Sequence, residues 1–302
     1  ILKRAGDGAF RFVAAVGFDL ERLRTVRMPA EAVAFGHAIE DHRPLVVRDP
    51  GAHAALDDPD ADTLRSEGRL GELRRAGLGY LILAICGGFA EFGVRQRLYV
   101  PGDAAATAQN LLANAQLFRF GIVLELIGQV VFLFIVFALF DLLKVVHRKR
   151  AVTMVTLVVI AVTITCLNMV NQAAALLVLD GGAWTAAFDP AQREALSMFF
   201  MELHHVGYSV VAQVFFGLWL VPLGVLIWAS GFIPRLVGGL LVLAGAGYLV
   251  DVVLAAMIPN VPFVLSEFTF VGELLLMGWL LVRGVNGAAW ADRATRTRAA
   301  LA

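Results

Sequence analysis

Seven ionisable side chains, Glu91, Glu125, Glu202, His204, His205, Asp251 and Glu273, stand in stretches that are otherwise almost wholly apolar. Amides accompany them at Gln129, Asn168, Asn171, Gln172 and Gln213. Carboxylates and imidazoles in such company can carry protons, bind a polar solute or hold a metal ion. Each ionisable group costs about 2.5 to 3.5 kcal/mol at the centre of a lipid-embedded helix on insertion scales, so these groups are expected to face inward and to act together. Helical spacing gathers them into stripes. Glu125 and Gln129 are i, i+4, as are Asn168 and Gln172. Glu202, His205 and Ser209 follow i, i+3, i+7, and Tyr208 follows His204 at i+4. Tyr248 and Asp251 are i, i+3, and Thr269 and Glu273 are i, i+4.

The candidate ligand-binding or proton-relay residues are therefore Glu91, Glu125, Asn168, Gln172, Glu202, His205, Tyr208, Asp251 and Glu273. Plainer accounts exist beside this one. The amides can serve as hydrogen-bonding glue between helices, Glu91 can pair with Arg95 near an interface, and Glu202 with the histidines can sit in water. An alternative chemistry is metal-dependent hydrolysis, with Glu202, His205, Asp251 and Glu273 holding zinc and activating water. No HExxH supports it, and adjacent histidines on a helix point about 100° apart, so only one easily joins a given site. A Gly-rich nucleotide loop, a redox CxxC, a GxSxG elbow and a dinucleotide fingerprint are all absent, so no cofactor is expected.

The elements that must position these groups follow from composition. The chain is 59% hydrophobic and 17% charged, with a mean hydropathy of +0.75; a soluble domain carries about 25% charge. Net charge is zero, and no basic run is longer than His147 to Arg150, which excludes a nucleic-acid partner. Cys86 and Cys166 both lie in apolar runs and read as small buried hydrophobes.

From residue 77 the apolar runs suit a hydrocarbon core of about 30 Å, which takes about 20 helical residues. Spans are expected at about 77–94, 117–143, 152–179, 195–228, 234–257 and 265–282. The fold class is thus an all-α membrane bundle of about six helices in a transmembrane domain at 77–284. Punctuation supports the boundaries. Asp189-Pro190 is an N-cap with proline at the first helical position, Ser230-Gly231 then Pro234 is a stop and a start, and Asp103 can cap a short amphipathic helix along the membrane surface. Pro222 is expected to bend its span. Gly87, Gly88, Gly121, Gly245 and Gly247 would allow close helix approach.

Lys and Arg are retained on the cytoplasmic side. Arg65, Arg69, Arg74 and Arg75 before the first span, Lys144, Arg148, Lys149 and Arg150 after the second, Arg235 after the fourth, and Arg283, Arg293, Arg296 and Arg298 after the sixth far outnumber Arg95, Arg97, Arg119 and Arg193 in the opposite loops. Both termini are therefore expected in the cytoplasm, with the protein a multi-pass component of the cell membrane. Counting along each span then puts Glu91, Glu125, Asn168, Asn171, Gln172 and Asp251 in the outer half, Glu202 to His205 at or just above the outer interface, and Glu273 near the midplane. One polar pocket opening outward is the expectation.

Four segments carry a family resemblance: GGFAEFGVRQRLYVPGDAAATAQNLLANAQLFRFG, FDPAQREAL, HHVGYSVVAQVFFGLWLVPLGVLIWASGFIPRLVGGLLVLAGAGYLVD and GELLLMGWLLVRG. In order and spacing, residues 72 to 284 resemble the domain-of-unknown-function 4386 family of bacterial membrane proteins. The resemblance implies six membrane helices and brings no catalytic residue. Residues 3 to 50 resemble the middle of a GAF sensor domain, with an AAVG strand, a helix and an LVVRD strand. Residues 1–52 are accordingly an incomplete GAF-like segment or remnant, 53–76 a polar linker rich in Asp, Pro and Gly, and 285–302 a cytoplasmic tail. The first residue is Ile1 and no signal-peptide pattern follows, from which a natural start further upstream is expected.

The function expected is that of an integral membrane protein whose pocket takes a small solute, a lipid headgroup or protons, with the bilayer as its partner. The zinc hydrolase and a non-catalytic structural or sensory component are the alternatives. Oligomeric state has no signature in the sequence.

Overall fold

Apolar runs of this length form helices because lipid offers no partner for a backbone N–H or C=O, so every such group must be bonded within its own segment. The computed structural model describes residues 2–4, 10–12, 76–258 and 263–299. The chain divides into two units, Ile1–Arg69 and Leu70–Ala302. In the first, Leu2–Arg4 (β1) and Phe10–Phe12 (β2) pair antiparallel, Leu2 opposite Phe12. The rest of the GAF-like segment, LVVRD included, and the polar linker up to residue 75 lie outside the described residues.

The second unit is a helical membrane bundle. Helix α1 is Ala76–Leu98 and contains a π-helical stretch at Phe89–Arg95. The short α2, Ala104–Ala113, starts where the Asp103 carboxylate accepts from Ala106 N–H at 2.9 Å, satisfying one of the orphan amides of its first turn. Ala115–Asp180 is helical over 66 residues except at His147, whose φ of −162° and ψ of 98° break it into residues 115–146 (α3) and 148–180 (α4). Unbroken, it would run about 100 Å, over three times a hydrocarbon core of about 30 Å. The break folds it into a hairpin, and an ion pair of 2.6 Å from Arg119 to Asp180 ties the start of α3 to the end of α4.

Helix α5, Pro190–Ser230, begins with the Asp189–Gln192 capping box and has a second π-helical stretch at Gly207–Ala212. It ends at Gly231, whose φ of 78° is left-handed. Helix α6, Arg235–Met257, follows Pro234, and α7 is Ser266–Val282. The expected tail contains a further helix, α8 (Gly287–Ala299), bent 104° from α7. Trp290 Nε1 donates to Leu142 O at 3.0 Å and Thr297 Oγ1 to Val145 O at 2.7 Å, which hold α8 across the end of α3. Among the described residues, taken as unbroken helices, four are long and apolar enough to cross a bilayer, and up to five if the bent α7–α8 pair is one span. The longest of them is the α3–α4 hairpin.

The bundle is apolar outside and polar within. Phe134, Leu167, Val170 and Leu236 are each about two-thirds exposed, whereas Glu125, Gln172 and His204 are buried. A lipid solvent accounts for both, since only the interior offers hydrogen bonds. One apolar cluster, including Leu139, Met154, Leu223 and Leu276, fills the bundle toward the His147 end. A smaller one, including Val94, Leu111, Phe118 and Met201, closes the Tyr99 end. The polar groups of α3 and α4 lie between these clusters.

Helices α5 and α6 touch backbone to backbone. A Cβ at Gly238 would stand 2.6 Å from Gly224 O, and one at Gly245 2.6 Å from Gly217 O. The close approach expected of Gly245 is therefore present, and Gly121 and Gly247 likewise abut Val94 and Thr269. Gly87 and Gly88 differ from expectation. A Cβ there would meet nothing within 4 Å, because this stretch of α1 borders a cavity and not a neighbouring helix.

Candidate functional site

The polar layer is built around Arg95. Its Nε donates to Glu91 Oε2 at 2.8 Å, one turn earlier on α1, and its Nη1 donates to Glu125 Oε2 on α3. Glu91 is 39% exposed and Glu125 only 5%, so the guanidinium compensates one carboxylate at the edge of the site and one inside it. Gln172 on α4 adds a second donor to Glu125 Oε2, at 3.2 Å. The same amide lies 2.9 Å from His204 Nε2 on α5, and Arg95 Nη1 lies 3.5 Å from that nitrogen. Across the ring, Nδ1 stands 3.3 Å from the carbonyl oxygen of Asn168. The side-chain amide of Asn168 stands 3.2 Å from the same Nδ1, so Asn168 and Gln172 of α4 bracket both ring nitrogens. Asn168 secures this arrangement by donating to His204 O at 2.7 Å, and Asn171 donates to Asn168 Oδ1 at 2.9 Å.

Two cavities meet at this cluster. A rim cavity of about 100 Å³ has Gln96, Tyr99 and His205 in its wall. An inner cavity of about 330 Å³ reaches Gln129, Tyr248 and Glu273. Glu91, Arg95 and Tyr208 line both. These three residues lie on the two π-helical stretches of α1 and α5. A π turn widens the helix and releases one backbone bond from the regular ladder, and such turns occur frequently at functional sites.

The inner cavity has polar groups to spare. Tyr80 Oη and Gln129 Oε1 are buried without a hydrogen-bond partner among the described residues, and both residues line it. Leaving such an atom dry and unpaired costs about 1 to 3 kcal/mol. Tyr248 Oη donates to Glu273 Oε1 at 2.9 Å.

The sequence-derived candidates divide accordingly. Glu91, Glu125, Asn168 and Gln172 come together around Arg95, while Tyr208 and Glu273 line the inner cavity and His205 the rim cavity. Glu202 lines neither; it accepts from the Tyr99 hydroxyl. Burial first, then the hydrogen bond to Glu202 and its charge, push the Tyr99 phenol up to about 12, so Tyr99 remains a donor at neutral pH. Asp251 stands apart from the site. Its Oδ1 accepts from Leu265 N–H and its Oδ2 from Ser266 N–H, each at 2.7 Å, so it caps the start of α7. The four residues considered for zinc are not brought together, and among the described residues no group of three or more His, Cys, Asp and Glu is placed to hold a metal ion.

Arg95, His204 and Tyr80 belong to the site but not to the sequence-derived candidates, although Arg95 is the partner expected for Glu91. Arg95 reads from sequence as a loop charge, yet it lies on α1, buried against two carboxylates. The signal for His204 is present in the buried face Ser197, Met201, His204, spaced i, i+4, i+7. Tyr80, one turn into α1, has no partner in the sequence pattern that would mark it.

A family model described as Domain of unknown function (DUF4386) matches residues 75–284. An uncharacterized protein of Archaeoglobus fulgidus is 34% identical over 79 residues, which make up 26% of this chain and 48% of that protein. The chain thus spans about half the length of that curated relative. No solved structure matches.

Proposed function

We propose, for a chain that belongs to the Domain of unknown function (DUF4386) family and so inherits no activity from it, that the bundle binds a small polar solute in the inner cavity and admits it through the rim cavity. The observation that carries this is the cavity of about 330 Å³ walled by Tyr80, Gln129 and Glu273, the first two of which carry buried polar atoms without a partner among the described residues. Polar atoms are retained there against a cost that an apolar side chain would avoid, which is reasonable where a ligand or water completes them. The volume suits a small molecule; drug-sized ligand sites start at about 300 Å³.

The protein sits in the cell membrane with both termini in the cytoplasm and the Tyr99 end outside. The basic residues near Lys144 to Arg150, Arg235 and Arg283 support this sidedness. The position of Arg95 strengthens it, because that residue belongs to the bundle interior and leaves the Tyr99-end loops with even fewer cations. Six crossings follow if α3 and α4 each span and α7 spans alone.

Gly88→Cys, in a chain whose Cys86 and Cys166 are replaced by alanine, tests this reading. A membrane-impermeant maleimide applied to the outside of intact cells should label residue 88, whereas Phe134→Cys on the lipid face should not react. No labelling at residue 88, or labelling only from the cytoplasmic side of inverted vesicles, would refute it.

A further inference from the structure

The walls of the inner cavity differ in kind. Six aromatic residues line it: Tyr80, Phe132, Tyr208, Phe216, Trp219 and Tyr248. Four of the rings form a continuous surface. Phe132 and Trp219 are 5.2 Å apart with planes at 76°, Tyr208 and Phe216 are 5.9 Å apart, and Phe132 and Phe216 6.2 Å. Among these rings stands a carboxylate. One oxygen of Glu273 accepts from Tyr248, and the other makes no hydrogen bond among the described residues.

The charges lining the cavity are unequal. Glu91, Glu125 and Glu273 are acidic and Arg95 is the only basic residue. Arg95 is already held by Glu91 and Glu125, so it has no charge left to offer an anion. An anionic ligand would meet Glu273 and the negative faces of the rings. A cation would meet both favourably, since ring faces attract cations most strongly where water is excluded. Inorganic cations prefer a full set of oxygen ligands, which one carboxylate and phenols at the edge of an aromatic wall do not provide. A cation with apolar substituents fits this surface better.

We infer that the inner cavity is a site for a small organic ammonium ion, its charge facing Glu273 and its alkyl groups against the aromatic wall. This rests on the solute-binding reading above and specifies its ligand class. Tyr80 and Gln129 place polar side chains in the same wall, which makes an ammonium alcohol the preferred form.

Choline serves as the probe, with 3,3-dimethylbutan-1-ol as its uncharged isostere. The readout is protection of Gly88→Cys from the maleimide in the purified full chain in lipid nanodiscs. Choline should slow labelling at a concentration at least about tenfold below that needed for the isostere. Glu273→Gln should raise the half-protecting choline concentration by about tenfold, and Phe216→Leu, which keeps an apolar side chain and removes the ring, by about threefold. Circular dichroism and elution volume show that each variant is folded, and labelling without choline shows that its cavity is open. Equal protection by the two probes, no protection by choline, or an unchanged choline response in folded Glu273→Gln would overturn the cation assignment while labelling itself leaves the open pocket standing. No labelling under any condition would overturn both.

Discussion

Removing the Arg95 guanidinium should destabilise the bundle far more than removing either of the carboxylates it binds. Arg95→Ala leaves Glu125, 5% exposed, facing Glu91 with no cation between them. Breaking a buried pair by deleting one partner costs about 3 to 5 kcal/mol because the surviving charge is uncompensated. That corresponds to roughly two to three and a half decades in the folding equilibrium. Glu125→Gln removes a charge but leaves Arg95 paired with Glu91 and keeps an acceptor oxygen for Gln172, so the expected loss is about 1 to 2 kcal/mol. Glu91 is 39% exposed, and solvent screening reduces the loss for Glu91→Gln to under about 1 kcal/mol. Reversible unfolding in mixed micelles with increasing sodium dodecyl sulfate, followed by circular dichroism, measures all three. In the double variant Arg95→Ala, Glu125→Gln, the lone carboxylate is gone, so its loss should fall below the sum of the singles by about 1 to 3 kcal/mol. An Arg95→Ala variant no less stable than Glu125→Gln, or strictly additive losses, would refute the central placement of Arg95.

Two further outcomes follow from the packing. Gly238→Leu should cost about 1 to 3 kcal/mol or prevent assembly, because its side chain would meet the Gly224 carbonyl and the Trp228 backbone, neither of which can yield. Gly88→Ala, whose Cβ meets nothing within 4 Å, should be neutral or gain up to about 1 kcal/mol from helix propensity, and thermal denaturation in detergent compares the pair. Asp251→Ala should raise amide hydrogen exchange at residues 265–268 by orphaning the Leu265 and Ser266 N–H groups, at a cost of about 1 to 3 kcal/mol. It should leave labelling of Gly88→Cys intact, and a loss of that labelling in a folded protein would return Asp251 to the site.

The apolar helices and several of their ends were legible in the sequence because they depend on local chemistry. Run length, Asp103, the Asp189-Pro190 pair and Gly231 each act within a turn of where they stand. The polar layer was legible in part. Glu125, Asn168 and Gln172 lie on regular helix, so counting by 3.6 residues placed them on the interior face. The count fails across Phe89–Arg95 and Gly207–Ala212, where the chain is π-helical and the faces shift. Arg95 reads as the first residue of a loop for a simpler reason, that the apolar run stops at Val94, whereas helix α1 continues to Leu98. The histidines differ for another reason: both precede the second π stretch, and the polar stripe Glu202, His205 lies on one face of that helix while the buried face is Ser197, Met201, His204, whose first two members do not look like a polar site. Asp251 was misread because a carboxylate can serve backbone amides of a distant segment, and its partners, Leu265 and Ser266, are backbone donors that no side-chain pattern announces.

The contact of α5 with α6 also decides how the cavity can change shape. A junction made of main chain has no rotamers to exchange, so Gly217, Gly224, Gly238 and Gly245 weld the two helices into one stiff panel that carries Tyr208, Phe216, Trp219 and Tyr248 together. Whatever dilation accompanies entry of a guest must therefore occur opposite that panel. There α1 presents Gly87 and Gly88 to open space, and its π turn is the hinge material nearest to hand.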